Sequence, residues 1–273
     1  MVGGQPLPEG PIQPGSGRSE PIWKKLAGPL IAIGLLLSKL KVVLLLLSKV
    51  KILVTSGSML VSIAAYSLIF GWPFAVGFVL LLLVHEMGHV LQLRREGIEA
   101  SAPMFIPFLG AVVAAKSLGD DAGAEARVGL AGPVLGTIGT LVPLGIYLVT
   151  GDDFWRALAF VGFFLNLFNL LPVLPLDGGR AMAALSPRIW ILGLAALVAL
   201  TFFFPNPIML LILVFGGFET WHRFKNRNTA EAGAFHDIPT RTRVMVAIVY
   251  LGLAALLAFG VAETHLERDF SDV

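Results

Sequence analysis

Long apolar runs, separated by short polar or proline-containing breaks, dominate the pattern of the chain. A helix that spans a bilayer needs about 20 predominantly apolar residues, and from residue 56 onward several runs approach or reach that length. The runs are Ser56–Trp72, Phe74–Leu93, Val128–Thr150, Phe154–Leu171, Trp190–Phe204, Ile208–Trp221 and Thr242–Glu263. We therefore predict an all-α polytopic membrane protein with six or seven transmembrane helices, in which residues 56–221 form the core.

The first part of the chain has no apolar run of that length. Residues 1–22 are rich in proline and glycine, which predicts a disordered tail rather than a signal peptide. In residues 23–55, lysines interrupt short runs such as VVLLLL. Because lysine stems can reach lipid headgroups, we expect a basic interfacial segment on an anionic bilayer. The alternative is a short span of low hydrophobicity.

Three further segments are predicted to lie outside the spans. Residues 94–127 form a charged loop around the apolar stretch APMFIPFLGAVVAA, at 102–115. Its prolines and glycine disfavour a helix, and it is too short to span, so we expect a re-entrant or surface loop of extended chain. Residues 222–241 are predicted to be a polar cytosolic loop that precedes a last transmembrane helix at 242–263 and a tail at 264–273.

Composition supports a membrane protein. Hydrophobic residues make up 56% of the chain and charged residues 14%, against roughly 25% charged in soluble domains. A soluble enzyme, a disordered chain and a nucleic-acid binder are therefore disfavoured, the last also because the net charge is only +2. Cysteine is absent, so a bound metal would need histidine, aspartate or glutamate ligands.

Basic residues predict the orientation. With seven spans and a cytosolic N-terminus, 18 of the 20 lysines and arginines fall on the cytosolic side, and only Arg156 and Arg268 fall outside. The positive-inside rule favours this arrangement over its inverse. We therefore predict a multi-pass protein of the cell membrane with its N-terminus in the cytosol.

The second apolar run contains His85-Glu86-Met87-Gly88-His89. A helix brings residues i and i+4 to one face, so both imidazoles can bind one ion, with Glu86 within reach of a water on that ion. This arrangement is typical of zinc metallopeptidases. Ionisable groups inside a span cost about 2.5–3.5 kcal/mol each and are functional by default. The alternative is a histidine pair buried by mutual hydrogen bonds.

Catalytic zinc needs a third protein ligand. Asp177 lies in the segment NLLPVLPLDGGR at 169–180, where Pro172 and Pro175 break the helix. Irregular backbone at membrane depth occurs where it lines a cavity or is buried in protein, so this carboxylate can reach the histidine pair. The other acidic candidate, Glu219, lies at the end of a span. The alternative for Asp177 is a cap of the following helix.

Together these motifs resemble the site-2 protease family of intramembrane zinc metalloproteases over about residues 55–222. The matching residues are His85-Glu86-x-x-His89, Gly129-x-x-Gly132-Pro133 and Asn169-x-x-Pro172-x-x-Pro175-Leu176-Asp177-Gly178. The resemblance implies that His85, His89 and Asp177 bind one Zn²⁺ ion and that Glu86 is the general base. It also implies transmembrane protein substrates, often trimmed by an earlier protease. Many relatives carry a PDZ or CBS module, and we expect a compact form without either.

Two asparagines and a glycine series accompany these motifs. Asn169 and Asn166 could bind the substrate backbone or stabilise the oxyanion; the alternative is hydrogen bonding between helices. We assign Asn169 to catalysis. Gly129, Gly132 and related glycines are predicted to let the third core span pack closely on the metal-binding helices. The 102–115 stretch is a candidate for holding an extended substrate by strand addition.

Two other readings of the metal motif remain open. An unrelated membrane zinc hydrolase would use a different third ligand. A non-catalytic metal-binding scaffold or transporter needs no base, yet Glu86 is present, and only one clear helix break, at 172–179, stands where transporters favour pairs. The sequence thus favours hydrolysis of peptide bonds within or near transmembrane segments, at a site in the cytosolic leaflet, and leaves the oligomeric state open.

Overall fold

The computed structural model of the chain describes residues 53–186, 188–203, 207–226 and 229–265. The predicted tail, nearly all of the interfacial segment and residues 266–273 lie outside these ranges. Within them the regular secondary structure is helical apart from a small hairpin. The elements in order are α1 (Leu53–Phe70), α2 (Trp72–Arg95), β1 (Met104–Ile106), β2 (Gly110–Val112), α3 (Ala122–Thr150), α4 (Asp153–Asn169), α5 (Asp177–Ala183), α6 (Arg188–Phe203), α7 (Pro207–Lys225), α8 (Ala230–His236) and α9 (Thr240–Thr264).

Among the described residues, the helices α1, α2, α3 and α9 are long and apolar enough to cross a membrane. Helices α4 and α6, of 17 and 16 residues, are shorter. Many large apolar side chains point away from the protein, for example Leu68 and Val149, each 87% exposed. The prediction of an all-α polytopic membrane protein is therefore confirmed, while the number of spans stays a prediction.

Helix α3 begins six residues before the predicted span. The side chain of Asp121 accepts a hydrogen bond from the backbone N–H of Ala124 and so caps the helix. Two prolines, Pro133 and Pro143, lie inside α3. Each removes one backbone donor from the helical ladder, which membrane helices tolerate where neighbours pack closely.

Most of the described residues in 222–241 are helical, which differs from the predicted loop. Helix α7 continues to Lys225, α8 follows, and α9 already begins at Thr240. The hydroxyl oxygen of Thr229 accepts a hydrogen bond from the N–H of Ala232 at the start of α8, and Pro239 directly precedes α9. Polar composition concealed these short helical pieces, because the prediction followed apolar runs alone.

The 102–115 stretch contains an antiparallel hairpin. Its strands agree with the extended chain expected there. Phe105 of β1 lies opposite Ala111 of β2, and Phe108 in the turn has a positive φ of 64°. Helix α1 holds the hairpin through two side chains. The Ser58 hydroxyl accepts from the N–H of Phe105, and the Tyr66 hydroxyl accepts from the N–H of Phe108, both at 3.1 Å.

Helix α3 lies at the centre and packs against α2, α4, α5 and α9. Glycines allow the backbones of neighbouring helices to come into direct contact. A Cβ atom on Gly88 of α2 would overlap the carbonyl group of Ala131, and one on Gly139 would come within 2.8 Å of the Val84 side chain. The predicted close packing of the glycine-rich span on the histidine-bearing helix is therefore confirmed.

Candidate metal centre

Helix α2 presents two histidines on one face. His85 and His89 are 3% and 6% exposed, and their Nε2 atoms lie 3.3 Å apart. The separation follows from the i, i+4 spacing, which stacks the two side chains one helical turn apart. The ring nitrogens therefore converge on one point, as the motif predicted.

Asp177 joins the histidines from the other side of the site. It is the first residue of α5, which follows the proline-containing break after α4. Its Oδ2 atom lies 3.1 Å from Nε2 of His85 and 3.2 Å from Nε2 of His89. Asp177 is 6% exposed. The three predicted ligand side chains are thus brought together, and among the described residues they form a group that could hold a metal ion.

The opposite ring nitrogens are both hydrogen-bonded. Nδ1 of His85 donates to Oδ1 of Asn166, and Nδ1 of His89 donates to the backbone carbonyl of Val128, each at 2.8 Å. Because the Asn166 amide nitrogen donates to the carbonyl of Gly162, its oxygen faces His85. Carbonyl oxygens accept only, so each Nδ1 carries a proton, and in a neutral imidazole Nε2 then keeps a free lone pair.

With both imidazoles neutral, as metal binding requires, three acceptor atoms face one another without a proton donor between them. Oδ2 of Asp177 is buried and lacks a hydrogen-bond donor among the described residues. A bound cation would satisfy all three atoms at once. In tetrahedral zinc sites, Zn–N distances of about 2.0–2.1 Å imply ligand atoms roughly 3.3–3.4 Å apart, close to the 3.1–3.3 Å seen here. Two imidazoles and one carboxylate therefore fit Zn²⁺ and leave a fourth position for water.

Helix α3 forms one wall of this site with its glycines. A Cβ atom on Gly132 would overlap Nε2 of His89 and come within 2.9 Å of Nε2 of His85. A Cβ atom on Gly136 would overlap the Asn166 amide. The glycines therefore leave the space that the histidine rings and their hydrogen-bond partner occupy.

The predicted catalytic side chains lie on the same helices as these groups. Glu86 is 8% exposed and follows His85 directly on α2. Asn169 is half-buried near the end of α4, and its amide nitrogen donates to the carbonyl of Leu165 at 3.0 Å. Of the two asparagines, Asn166 contacts a histidine. The catalytic roles of Glu86 and Asn169 stay predictions.

Two ion pairs lie at the polar ends of helices near the site. The first joins two helices, and the second lies within one helix. Glu96, directly after α2, accepts two hydrogen bonds from the guanidinium of Arg127 on α3, at 2.7 and 2.9 Å. These bonds hold the pKa of Glu96 below its ordinary value. Glu219, the other acidic candidate, pairs with Arg223 at 2.9 Å on its own helix. Its carboxylate is therefore engaged in the ion pair.

Sequence reasoning named Asn166 but missed two other groups that orient the ligands or their segment. Every residue has a backbone carbonyl, so the residue type of Val128 could not indicate that its carbonyl contacts His89. The indole nitrogen of Trp190 donates to the carbonyl of Gly179, two residues after Asp177, at 2.6 Å. A tryptophan beside a broken helix was the available signal for this contact.

Comparison with known proteins gives matches over the same region. The profile of peptidase family M50 matches residues 73–152 and 150–190. A zinc metalloprotease of Methanocaldococcus jannaschii is 29% identical over 124 residues, which cover 41% of this chain and 34% of that protein.

Two bacterial proteins that are provisionally named zinc metalloproteases match similarly. A Synechocystis sp. protein is 33% identical over 129 residues, covering 42% of this chain and 33% of its own length. One from Mycobacterium tuberculosis is 36% identical over 113 residues, covering 38% and 28%. The chain thus spans about a third of the length of these curated relatives. The profile match includes both segments of the His85–His89–Asp177 cluster, so over residues 73–190 the chain is similar to peptidase family M50, the site-2 protease family.

Proposed function

We propose that the chain is an intramembrane zinc metalloprotease that hydrolyses peptide bonds within or near transmembrane segments of membrane proteins. The observation that carries this proposal is the buried cluster of three acceptors, His85, His89 and Asp177, beside Glu86 on an apolar helix. Buried ionisable groups in a span are costly, and four of them at one point are explained by metal-assisted hydrolysis.

Each residue has a distinct task in this proposal. A zinc ion held by the three ligands would acidify a water and polarise the scissile carbonyl. Glu86 takes the proton from the attacking water and passes it to the leaving amine. Asn169 donates a hydrogen bond to the oxygen on which negative charge develops. Asn166 and the carbonyl of Val128 keep both imidazoles in the tautomer that leaves Nε2 free.

The hairpin supports a mode of substrate binding. The N–H of Phe105 points to Ser58 of α1, so β1 turns its outer edge to α1. Because Phe105 and Ala111 are opposite each other, the backbone groups of Ala111 point away from β1. The outer edge of β2 can therefore pair with an extended substrate strand, which is the form that a protease cleaves.

The setting in the cell is part of the same proposal. The protein lies in the cell membrane with its N-terminus in the cytosol and its active site in the cytosolic leaflet. Its partners are a transmembrane protein substrate and anionic lipid headgroups, and nucleic acid is not among them. The distribution of lysine and arginine along the chain supports this orientation.

Replacement of the base tests the function. We expect Glu86→Gln to keep about one zinc per chain and to lower cleavage of tagged single-span substrates by at least 10²–10⁴-fold, the usual contribution of a general base. Glu99→Gln is the matched control, because the Glu99 carboxylate is 85% exposed. The measurement is fragment release by purified protein. Turnover by Glu86→Gln at the rate of the control would overturn the assignment as a protease.

A further inference from the structure

The break between α4 and α5 leaves backbone carbonyl groups without partners in a helix. In a membrane protein such groups need other donors, since lipid offers none. Side chains from α6 and α9 supply them. The Tyr250 hydroxyl donates to the carbonyl of Leu170 at 2.6 Å, and the Arg243 guanidinium donates to the carbonyl of Ala184 at 2.8 Å. Helix α9 therefore ties down both ends of the segment that carries Asp177.

Trp190 of α6 holds the middle of this segment. It is 1% exposed, and its Nε1–H donates to the carbonyl of Gly179 at 2.6 Å. Gly179 lies in the first turn of α5, two residues beyond Asp177. A short hydrogen bond from a rigid, fully buried indole thus fixes the turn from which the Asp177 side chain projects.

The indole is itself held in place. The guanidinium carbon of Arg223 lies 5.4 Å from the centre of the Trp190 ring. Two nitrogens of that guanidinium donate to the buried carboxylate of Glu125 at 2.9 and 2.8 Å. The ring therefore has a charged neighbour on one side and the α5 backbone at its nitrogen, which restricts its orientation.

Helix α6 also contacts the start of the broken segment. A Cβ atom on Gly193 would overlap the carbonyl of Pro172, so the α6 backbone lies directly against the proline break. Gly193 and Trp190 are three residues apart and share a helix face. One face of α6 therefore contacts both Pro172 and Gly179, on either side of Asp177 in sequence.

We propose that Trp190 is a positioning residue for the third metal ligand. By holding the carbonyl of Gly179, it sets the rotation of the first turn of α5 and keeps Oδ2 of Asp177 within 3.1–3.2 Å of both histidine nitrogens. Trp190 is not one of the three residues that could hold the metal, and its indole nitrogen donates to the α5 backbone. The inference rests on the proposed zinc site and deepens it, because it assigns the geometry of that site to a helix that supplies no ligand.

The first experiment measures Zn²⁺ affinity of the full chain in detergent by competition with a chromophoric chelator. Trp190→Phe keeps most of the ring and removes the donor. We expect a zinc affinity about 10-fold weaker, as for loss of a group that orients a ligand. Trp221→Phe is the matched control, because Trp221 is 61% exposed and lies over Lys225 rather than α5. Equal affinities of wild type and Trp190→Phe would overturn the inference.

A double-mutant cycle separates positioning from general loss of structure. In an Asp177→Ala background the histidine pair remains, and Cu²⁺ is the probe because it binds imidazole sites more tightly than Zn²⁺. We expect Trp190→Phe to weaken Cu²⁺ binding about 10-fold with Asp177 present and to leave it unchanged with Asp177→Ala. Equal weakening in both backgrounds would overturn the inference. A wild-type chain that binds neither ion would overturn the zinc site and this inference together.

Discussion

Asn166 determines which ring nitrogen of His85 is available to bind a metal. Its amide oxygen accepts the Nδ1–H of His85, and its amide nitrogen is held by the carbonyl of Gly162. The amide therefore cannot turn without losing a buried hydrogen bond, and His85 is kept with Nε2 free for the metal. Asn169, three residues further along α4, bonds only within its own helix among the described contacts.

We expect replacement of Asn166 and replacement of Asn169 to affect different properties of the protein. Asn166→Ala should lower zinc affinity by about 10–100-fold, since it removes a partner that orients a ligand. Asn169→Ala should leave zinc affinity unchanged and lower the cleavage rate, since it removes a donor to the oxyanion. Zinc titration and cleavage kinetics on both variants measure this. Unchanged zinc affinity in Asn166→Ala would contradict the role given to that hydrogen bond.

Residue type and spacing predicted the histidine pair, whereas for Asp177 they left a helix cap as the alternative, and the family resemblance favoured a third ligand. His85 and His89 share a helix face at any helix rotation, and Asp177 was the acidic residue at a helix break. The order of the two asparagines could not be predicted. Which of them faces α2 depends on the rotation of α4, and that rotation is set by packing against α2 and α3.

At the scale of elements, α3 shapes the site through a glycine, which has no Cβ atom to fill the space of the metal ligands. Gly132 stands where a methyl group would occupy the space of the two Nε2 atoms. Gly145 lies on the same helix, and a Cβ atom there would meet no other atom within 4 Å. Both positions are helical, so the intrinsic gain from alanine, about 1 kcal/mol, applies to both.

This pair gives a matched test of the helix wall. Gly132→Ala is expected to displace the histidine rings and to weaken zinc binding at least 10-fold, whereas Gly145→Ala should leave zinc binding unchanged. Zinc titration and thermal unfolding in detergent measure both variants. Wild-type zinc affinity in Gly132→Ala would show that α3 does not line the metal site as closely as described.

The helices themselves were predicted to different degrees. The apolar runs located α2 and α9 to within two residues at each end, because both helices are apolar along most of their length. The continuation of α7 to Lys225 and the existence of α8 were missed. Their polar turns resemble loop composition, and tertiary contacts such as that of His236 with the carbonyl of Ala183 stabilise them.

At the scale of the whole molecule, both halves of the site lie close to basic boundaries. His89 precedes Arg94 by five residues, about 7–8 Å along the helix axis. Asp177 precedes Arg180 by three residues and belongs to α5, which follows the proline break. In the orientation that we propose, the arginines face the cytosol, which would place the metal site in the cytosolic leaflet with a short path for water from the cytosol.

This depth predicts where a substrate is cut. A substrate helix must unwind locally to pair as a strand with β2, and glycine, proline or asparagine in its span would ease that step. In the proposed orientation the metal ligands lie nearer the cytosolic boundary, so we expect scission in the cytosolic half of the substrate's span and release of its cytosolic domain. Mass spectrometry of the released fragment identifies the new terminus, and Glu86→Gln protein serves as the uncleaved control. A terminus that maps to the extracytoplasmic half would contradict either the orientation of the chain or the position of the site.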